Sequence, residues 1–311
     1  MSLPIEISII LPVHNEEQNL NELYRQLTQV ISPLTSAYEM IFVDDGSKDQ
    51  SFAIIVELKK NDPVHVKALR FSRNFGHQLA LTAGLKQCKG KAAIIMDTDL
   101  QDPPEVIKEF IGKWKEGYQV VQGVRTQREG ETFFKKTTAK LFYKLIRMST
   151  AIDIPENVGD FYLLDRQIID ILNAMNERHR FLRGLVAWVG YNRMVVPYKR
   201  KSRHSGTTKY SFWKMVKFSL DAMTSFSFAP LRLVSGIGLI ISLIALASIA
   251  IIVYMKLFTS VTIVGWSSLM VVILFIGGLQ LMAIGMIGEY IARIGDDVKA
   301  RPLYNIVQVI D

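Results

Sequence analysis

Cysteine is almost absent from this chain of 311 residues, since Cys88 is its only example. One thiol cannot form an intramolecular disulfide, and such scarcity is typical of a reducing compartment. The five histidines are scattered, and no cysteine–histidine spacing typical of a zinc site occurs. Residues 1–10 lack the charged start and long apolar segment of a signal peptide. We therefore expect a reduced, intracellular protein without a disulfide framework or a zinc motif.

Charged residues are missing from two long stretches, residues 233–254 and 259–288, and Lys256 is the one charge in the loop between them. A helix rises 1.5 Å per residue, so about 20 apolar residues cross the hydrocarbon core of a bilayer. The sequence predicts a two-helix transmembrane hairpin over residues 233–288, with spans at about 233–254 and 264–287.

Lysine and arginine are concentrated on both flanks of this hairpin: Lys209, Lys214, Lys217 and Arg232 before it, and Arg293, Lys299 and Arg301 after it. Because positively charged flanks stay cytoplasmic, we expect a multi-pass protein of the inner (cell) membrane. Its N-terminal domain, residues 1–209, and its C-terminal tail, residues 289–311, would both be cytosolic. The net charge of +8 fits an anionic membrane surface or a phosphate-bearing ligand. Nucleic acid is not expected, because no RNA-binding signature occurs.

Two segments combine aromatic residues with basic ones. Residues 210–232 lead into the first apolar stretch and contain Trp213, Lys214 and Lys217. Helices of this composition lie in membrane interfaces, with cations at the lipid phosphates. We therefore expect an amphipathic interfacial helix at 210–232. Residues 132–151 have a similar composition and fit either an interfacial helix or an ordinary helix that packs on a sheet.

The first half of the chain alternates short apolar stretches with helical ones. Strands are predicted at Ile7–Leu11, Met40–Val43, Val66–Phe71, Ala92–Met96 and Gln119–Val124. Helices are predicted at Glu17–Val30, Ser51–Lys60, Gln78–Lys86 and Pro104–Glu116. This alternation predicts an α/β domain with a Rossmann-like, mainly parallel sheet. Such sheets bind ligands at the carboxyl ends of their strands, and a polar cluster follows each of the predicted strands.

Two carboxylates, Asp97 and Asp99, directly follow the fourth predicted strand. Like charges at the end of a buried strand repel each other and lose solvation, so their proximity needs a reason. A Mg²⁺ or Mn²⁺ ion that carries phosphates supplies one, because it takes one or two carboxylates and leaves its other positions to phosphate and water. The alternative is a pair of solvated acids in a turn, where aspartate is common.

Four motifs in this order, followed by the apolar stretches, resemble a known family: Pro12-Val-His-Asn-Glu16, Val43-Asp-Asp-Gly-Ser47, Asp97-Thr-Asp-Leu-Gln-Asp-Pro-Pro-Glu105 and Gly159-Asp-Phe161. The chain is similar to the polyprenyl-phosphate glycosyltransferases of glycosyltransferase family 2. These include dolichyl-phosphate mannose synthases and undecaprenyl-phosphate glucosyltransferases. The resemblance implies a GT-A fold, a nucleotide-sugar donor, a divalent metal, a polyprenyl-phosphate acceptor and inversion at the anomeric carbon.

The resemblance also implies roles for individual residues. It implies a base and ribose pocket of Pro12, His14, Glu16, Asp44 and Asp45, a metal site of Asp97, Asp99 and Gln101, and a place for Asp160 near the reacting centre. Asp99 and Asp160 are therefore the expected catalytic residues. Relatives often have tyrosine in place of His14 and arginine in place of Tyr162. Any phosphate contact of that arginine must be made elsewhere here, or not at all.

The acceptor that the resemblance implies is already ionised near pH 7, since the second pKa of a phosphate monoester is about 6. A strong general base is therefore not required, and we interpret Asp160 as an electrostatic or positioning residue first and a base second. The phosphate still needs cations, preferably arginines, whose planar fork matches phosphate oxygens. The candidates are Arg125, Arg128, Arg203 and Lys209, with Lys136 and Lys140 behind them.

The leading hypothesis, which rests on the resemblance, is transfer of glucose from UDP-glucose to polyprenyl phosphate, although the motifs do not identify the sugar or the base. GDP-mannose or another UDP-sugar, including UDP-4-amino-4-deoxy-arabinose types, remains open. A processive polysaccharide synthase is disfavoured because the Gln-x-x-Arg-Trp motif is missing and only two spans are predicted. A non-catalytic, nucleotide-binding membrane scaffold is the alternative from another class.

Two features bear on assembly. Gly277, Gly278 and Gly285 allow close helix contact, either between subunits of a homo-oligomer or within the hairpin. The strand-like residues 303–310 would dock on the cytosolic domain or on a neighbouring subunit, and the sequence leaves both possibilities open.

Overall fold

The computed structural model of the protein describes residues 4–126, 158–178, 180–200, 229–258 and 265–311. These residues form two compact units. The first is built around a β-sheet from the described residues up to 200, together with residues 301–311. The second contains two long helices between residues 229 and 300.

The strands of the first unit span Ile7–Val13 (β1), Tyr38–Asp44 (β2), Val66–Phe71 (β3), Ala92–Ile95 (β4), Val120–Arg125 (β5), Val158–Asp165 (β6), Arg193–Tyr198 (β7) and Ile306–Ile310 (β8). They form one eight-stranded sheet in the order β7-β5-β6-β4-β1-β2-β3-β8. Strand β1 pairs in parallel with β2 and β4, β2 with β3, and β5 with β7. Strand β6 is antiparallel to β4 and β5, and β8 is antiparallel to β3. The sheet is therefore mixed but mostly parallel.

The described helices span Leu20–Ile31 (α1), Ser51–Asn61 (α2), His77–Gln87 (α3), Ile107–Lys115 (α4), Arg166–Ala174 (α5), Leu182–Val189 (α6), Ala229–Phe258 (α7) and Trp266–Lys299 (α8). A short 3₁₀ helix, Pro104–Val106, precedes α4. The five predicted strands and the four predicted helices are confirmed, with ends that differ by at most three residues.

The centre of the sheet forms the core. Every residue of β1, β2 and β4 is buried, which explains their nearly continuous apolar sequences. Helix α1 adds one apolar stripe, with Leu20, Leu23, Leu27 and Ile31 buried against this core. A core of this kind holds the strand ends, and the loops that follow them, in fixed positions.

Strands β6 and β7 and helices α5 and α6 are not predicted by the sequence analysis. Strand β6 has an apolar composition, but its partners β4 and β5 lie far earlier in the chain, so the local pattern does not reveal the antiparallel insertion. Tyr162 of β6 pairs with Ile95 of β4. Because β6 runs in the opposite direction, its N-terminal residues lie at the edge where β4 and β5 end.

The C-terminal strand β8 docks on the chain's own sheet, beside β3. Val309 pairs with Leu69, and Tyr304 stacks on Phe71 with the ring centroids 5.0 Å apart. The predicted strand-like segment is confirmed, and of its two predicted docking places the structure has the one on the sheet of the same chain.

The second unit consists of α7 and α8, which have 30 and 34 residues and contact each other. Among the described residues, length and composition mark one segment, Phe275–Lys299, as able to cross a membrane, and its most apolar part is not buried. The predicted two-span hairpin over residues 233–288 is therefore not confirmed and stays a prediction. Residues 210–228 of the predicted interfacial helix and the segment 132–151 lie outside the described residues.

The packing of α3 on β1 can be tested at a glycine. A Cβ atom on Gly84 would lie 2.3 Å from Ile10 Cγ2, whereas one on Gly112 of α4 would meet no atom within 4 Å. We expect Gly84→Ala to destabilise the protein by about 1–3 kcal/mol through overpacking. Gly112→Ala should instead stabilise it by about 0.5–1 kcal/mol, because alanine is the better helix former. Thermal unfolding measures both, and equal shifts would contradict this packing.

Candidate active site

The loops after β1, β2 and β3 are tied together by Asp45. Its backbone N–H donates to the carbonyl of Val13 at 2.8 Å. Its carboxylate accepts from the backbone N–H groups of Phe75 at 2.6 Å and Gly76 at 2.9 Å. Burial raises the pKa of the Asp45 carboxyl, although both backbone hydrogen bonds favour the ionised form. Asp45 thus orders the loop that leads into α3.

The other residues predicted to bind the donor nucleotide lie around the place where these three loops meet. His14 Nδ1 lies 3.0 Å from the Asp45 carbonyl oxygen. Asp44 is fully buried, and its Oδ1 accepts from the Ser47 N–H at 3.1 Å. Glu16 accepts from the side chain of Asn19 at 2.6 Å, and the carbonyl of Pro12 accepts from the Thr98 hydroxyl at 2.9 Å. All five residues therefore lie at or just after the ends of β1 and β2, and their contact with a nucleotide stays a prediction.

A cavity of about 570 Å³ opens at the ends of β2 and β3. Three of its lining residues are cations and none is a carboxylate; the lining comprises His14, Gly46, Ser47, Lys48, Arg70, Phe71, Ser72, Arg73, Asn74 and Val307. The volume is within the range of small-molecule sites, and the charge suits a phosphate-bearing ligand. Val307 belongs to β8, so the C-terminal strand forms part of the cavity wall.

Three aspartates follow β4 at the same edge of the sheet. Asp99 Oδ1 accepts from the Gln101 N–H at 3.1 Å, and Asp99 Oδ2 lies 3.5 Å from Arg200 Nη2. Asp102 is fully buried, accepts from the Tyr198 hydroxyl at 2.6 Å and lies 3.4 Å from Arg200 Nε. Arg200 is thus one cation shared by two of the three carboxylates.

Asp97 lies 3.6 Å from His77 Nε2, within ion-pair distance. Burial raises the pKa of Asp97 to about 6, against the effect of His77, and the charges of Asp160, Asp102 and Asp99 act in the same direction as burial. Loss of solvation is therefore the main cause of the raised pKa of Asp97, and the neighbouring carboxylates add to it.

The residues present fit a divalent metal ion. In the described ranges no group of three or more His, Cys, Asp or Glu side chains could hold an ion by itself. An ion that carries a diphosphate does not need one, because Mg²⁺ is commonly bound by one or two carboxylates plus substrate phosphates and water. Asp97 and Asp99 supply two carboxylates at one strand end, and an ion there would stabilise the ionised form of Asp97, which burial disfavours.

Asp160, near the start of β6, is buried and surrounded by donors. Arg183 binds both of its oxygens, through Nε at 2.7 Å and Nη2 at 2.9 Å. Asp160 Oδ2 also lies 3.1 Å from His77 Nε2 and 3.3 Å from Gln78 Nε2. Burial alone would raise the pKa of Asp160, but the charge and hydrogen bonds of Arg183, together with His77, hold it far below its usual range. The carboxylate is therefore firmly ionised at neutral pH.

His77, the first residue of α3, stands between two carboxylates. Burial would lower its pKa, but the hydrogen bond to Asp160 and the charge of Asp97 raise it to about 9. The imidazole is therefore a cation at pH 7. It connects the strand end that carries Asp97 to the strand that carries Asp160.

Among the predicted acceptor residues, Arg125 at the end of β5 is described. Its Nε donates to the Tyr198 hydroxyl at 3.3 Å, and a Cβ atom on Gly159 would lie 2.5 Å from its Nη2. Glycine at position 159 therefore allows the guanidinium to pass close to β6. The remaining candidates lie outside the described residues, and their contact with a phosphate stays a prediction: Arg128, Lys136, Lys140, Arg203 and Lys209.

Three cations of the site, His77, Arg183 and Arg200, have no assigned role in the sequence analysis. His77 lies between the third predicted strand, which ends at Phe71, and the helix predicted from Gln78, so its place at this edge could be predicted but its pairing with Asp160 could not. Arg183 and Arg200 lie in and after elements that were not predicted, and no motif points to them. Tyr162, where relatives often have arginine, is buried, and its hydroxyl has no hydrogen-bond partner among the described residues.

Comparison with known proteins identifies the family. Residues 8–172 match the domain described as Glycosyl transferase family 2. The chain is 51% identical over 308 residues to the uncharacterized glycosyltransferase YkcC of Bacillus subtilis (strain 168), with 99% of this chain and 95% of the relative covered. It is 39% identical over 305 residues to the prophage bactoprenol glucosyl transferase homolog of Escherichia coli (strain K12), with 98% and 99% covered. The crystal structure of S. aureus TarS in complex with UDP aligns with a TM-score of 0.45 and 18% identity, over 66% of this chain and 61% of that one.

The chain therefore belongs to glycosyl transferase family 2. Its resemblance to the polyprenyl-phosphate enzymes of that family is confirmed by near full-length relatives named bactoprenol glucosyl transferase, at about 40% identity. The mixed, mostly parallel sheet is GT-A-like, as the resemblance implies.

Proposed function

We propose that this chain is a membrane-bound, inverting glycosyltransferase that moves a sugar from a nucleotide sugar to polyprenyl phosphate, with UDP-glucose as the favoured donor. The observation that carries the proposal is the meeting of Asp97, Asp99 and Asp160 at one edge of a family 2 sheet, together with a basic cavity on that edge. The relatives named bactoprenol glucosyl transferase support the class of acceptor.

The donor nucleotide is assigned to the ends of β1, β2 and β3. A carboxylate oxygen has two lone pairs, so Asp45 can keep its bonds to the loop while it accepts from a base or a ribose hydroxyl. Asp44, His14, Glu16 and Pro12 complete the proposed pocket. The cations of the adjoining cavity complement the net negative charge of the nucleotide as a whole.

The leaving diphosphate is assigned to the end of β4. Asp97 and Asp99, with Gln101, would hold a Mg²⁺ or Mn²⁺ ion, which when bound would neutralise charge on the diphosphate. The chain's own contribution is to present both carboxylates from the end of a fully buried strand. His77 Nε2 lies beside them, 3.6 Å from Asp97 Oδ1.

The acceptor supplies a nucleophile that is already ionised. Asp160 therefore does not have to take a proton, and its low pKa makes it a poor base. Its proposed role is to place negative charge beside the sugar carbon, where positive charge develops in an oxocarbenium-like transition state. Arg125 and the predicted cations Arg128, Lys136, Arg203 and Lys209 would bind the acceptor phosphate.

Helices α7 and α8 are assigned to the transmembrane hairpin, with the sheet domain and both termini in the cytoplasm and residues 210–232 at the interface. This arrangement leaves the polyprenyl chain in lipid while its phosphate meets a soluble donor. It also raises the local concentration of acceptor. Gly277 and Gly278 of α8 permit the close helix contacts of a homo-oligomer, which is part of the proposal.

The test uses purified full-length protein in nanodiscs with undecaprenyl phosphate and Mg²⁺ or Mn²⁺. Radiolabelled UDP-glucose and GDP-mannose are offered in parallel, and label is counted in the organic phase with and without EDTA. We expect EDTA-sensitive label from UDP-glucose alone. Label from GDP-mannose alone would replace the donor in the proposal. Nucleotide binding without labelled lipid from any nucleotide sugar would favour the scaffold instead.

The part that β8 plays in the donor cavity gives a matched pair of variants. Val307 lines the cavity, whereas Val309 is exposed on the same strand and does not. We expect Val307→Glu to raise the donor KM roughly 10-fold, because a carboxylate in this basic cavity repels an anionic nucleotide at a cost on the order of 1 kcal/mol. Val309→Glu adds the same charge outside the cavity and should leave the donor KM unchanged. Equal effects of the two variants would contradict a place for the donor in this cavity.

A further inference from the structure

Arg183 and Asp160 form a bidentate ion pair at the centre of the candidate site. Two N–H groups of one guanidinium meet the two oxygens of one carboxylate, at 2.7 Å and 2.9 Å. Arg183 Nη1 also donates to the carbonyl of Val158, two residues before Asp160, at 3.2 Å. All three nitrogen atoms of the guanidinium therefore donate hydrogen bonds to residues at the start of β6. A planar fork used in this way fixes both the position and the rotation of the carboxylate.

The surroundings hold Arg183 itself in place. It is the second residue of α6, and the N–H of Leu182 donates to Gln78 Oε1 at 3.0 Å. The other end of the same amide, Gln78 Nε2, donates to Asp160 Oδ2 at 3.3 Å. Helix α6, helix α3 and strand β6 therefore meet around one carboxylate. A hydrogen-bonded arrangement of this kind is preorganised, because each member restricts the orientation of the next.

The donors are unequally divided between the two oxygens of Asp160. Oδ2 accepts from Arg183, His77 and Gln78, whereas Oδ1 has one described hydrogen bond, from Arg183 Nε. Since a carboxylate oxygen has two lone pairs, Oδ1 keeps acceptor capacity. Oδ1 is therefore the oxygen that can face positive charge on a reacting sugar.

We propose that Arg183 is a positioning residue for sugar transfer, which fixes the Asp160 carboxylate in one orientation with Oδ1 left for the reacting sugar. The inference rests on the proposed function, because it concerns the same site and reaction. In relatives with arginine at position 162, that arginine could orient the carboxylate instead, since residues 160 and 162 lie on the same face of β6.

The competing explanation is that Arg183 only balances a buried charge. Asp160 has a side-chain exposure of 4% and Arg183 of 27%, so either residue without the other would destabilise the fold. Both explanations predict a lower melting temperature for Arg183→Gln. The two explanations differ in what they predict for turnover. Only a positioning role makes the loss in kcat depend on the planar guanidinium of Arg183 and on the presence of Asp160.

The experiment compares Arg183→Lys, Arg183→Gln, Asp160→Asn and the double variant in the labelled-lipid assay, with melting temperatures measured alongside. We expect Arg183→Gln to lower kcat by roughly 10²-fold, the scale of one lost preorganised electrostatic contact, while the donor KM stays within about 3-fold. Arg183→Lys should restore stability but only part of kcat, because an ammonium lacks the fork. The double variant should lose no more than Asp160→Asn alone, because the two residues act as a unit.

Arg180→Gln is the matched control. Arg180 is a buried arginine three residues earlier whose guanidinium donates to the backbone carbonyls of Leu172 and Met175. It should lose stability and keep kcat. Full kcat in Arg183→Gln, or multiplied losses in the double variant, would overturn the positioning role. A wild type that binds nucleotide but labels no lipid would instead overturn the proposed function, and this inference with it, so the two failures are distinguishable.

Discussion

Replacing Asp99 with asparagine should lower the turnover of sugar transfer by roughly 10³-fold or more, since neutralising a diphosphate by an ion supplies several kcal/mol and each 1.36 kcal/mol is a factor of ten. Asparagine keeps the shape of the side chain, and its amide oxygen can still accept from the Gln101 N–H. It removes the negative charge that the proposed ion would need and that lies 3.5 Å from Arg200. The expected effect is therefore on charge and not on loop structure.

Two measurements distinguish this effect from a loss of correctly folded enzyme. Binding of Mn²⁺ in the presence of UDP, followed by electron paramagnetic resonance, should weaken in Asp99→Asn without any turnover being required. Asp170→Asn removes the same charge from the exposed surface of α5, and it should change neither ion binding nor turnover. Unchanged Mn²⁺ binding in Asp99→Asn would remove Asp99 from the proposed metal site.

The parts of the fold that could be predicted are those whose signals are local. Strands β1 to β5 are short apolar stretches bounded by polar loops, and each connecting helix lies next to them in the sequence. The parallel order follows from that alternation. Strand β6 pairs with strands from the distant first half of the chain, and its direction is set by those partners. Local periodicity contains no information on such pairing, so β6 could not be placed.

The same distinction applies to the candidate site. Asp97, Asp99 and Asp45 directly follow predicted strands, so their meeting at one edge follows from the sheet. Asp160 was found through a motif and not through its strand. Arg183 and Arg200 could not be found at all, because a single arginine in an unpredicted segment is indistinguishable from a surface charge. The cations that define the electrostatics of the site therefore become visible only in the folded arrangement.

If Asp160 acts as proposed, replacing it with asparagine should lower kcat by roughly 10²- to 10³-fold, because the variant lacks the negative charge that the proposal places beside the sugar carbon. Asp165→Asn is the control on the same strand. Asp165 lies at the other end of β6, where it caps α5 through the Gln167 N–H and accepts from Trp114 Nε1. Asparagine caps a helix as well as aspartate does, but its amide nitrogen cannot accept from Trp114 Nε1. We therefore expect Asp165→Asn to cost about 1 kcal/mol of stability and to leave kcat unchanged. A retained kcat in Asp160→Asn would mean that the reaction does not use this carboxylate.

The pH profile of the wild type then decides whether Asp160 acts as a base. The titratable groups that face it are Arg183, His77, Tyr162 and Asp97. Arg183 and His77 hold its pKa far below the usual range, against the effect of burial. Asp160 is therefore ionised across the whole range from about pH 5 to 9 and cannot produce a rising limb there. A rise in rate near pH 6 should come from the second ionisation of the acceptor phosphate.

An acceptor whose phosphate has a lower pKa tests this assignment of the limb. Polyprenyl phosphorothioate should move the rising part of the pH–rate profile to lower pH. The assay uses saturating Mn²⁺, which keeps protons from competing at Asp97, whose pKa without an ion is about 6. A limb that stays in place with the phosphorothioate would belong to an enzyme group. If that limb also vanished in Asp160→Asn, the carboxylate would have to take a proton during transfer. The two hydrogen bonds from Arg183 to Asp160 would then have to lengthen or break in the substrate complex, because a carboxylate held on both oxygens does not accept a proton readily.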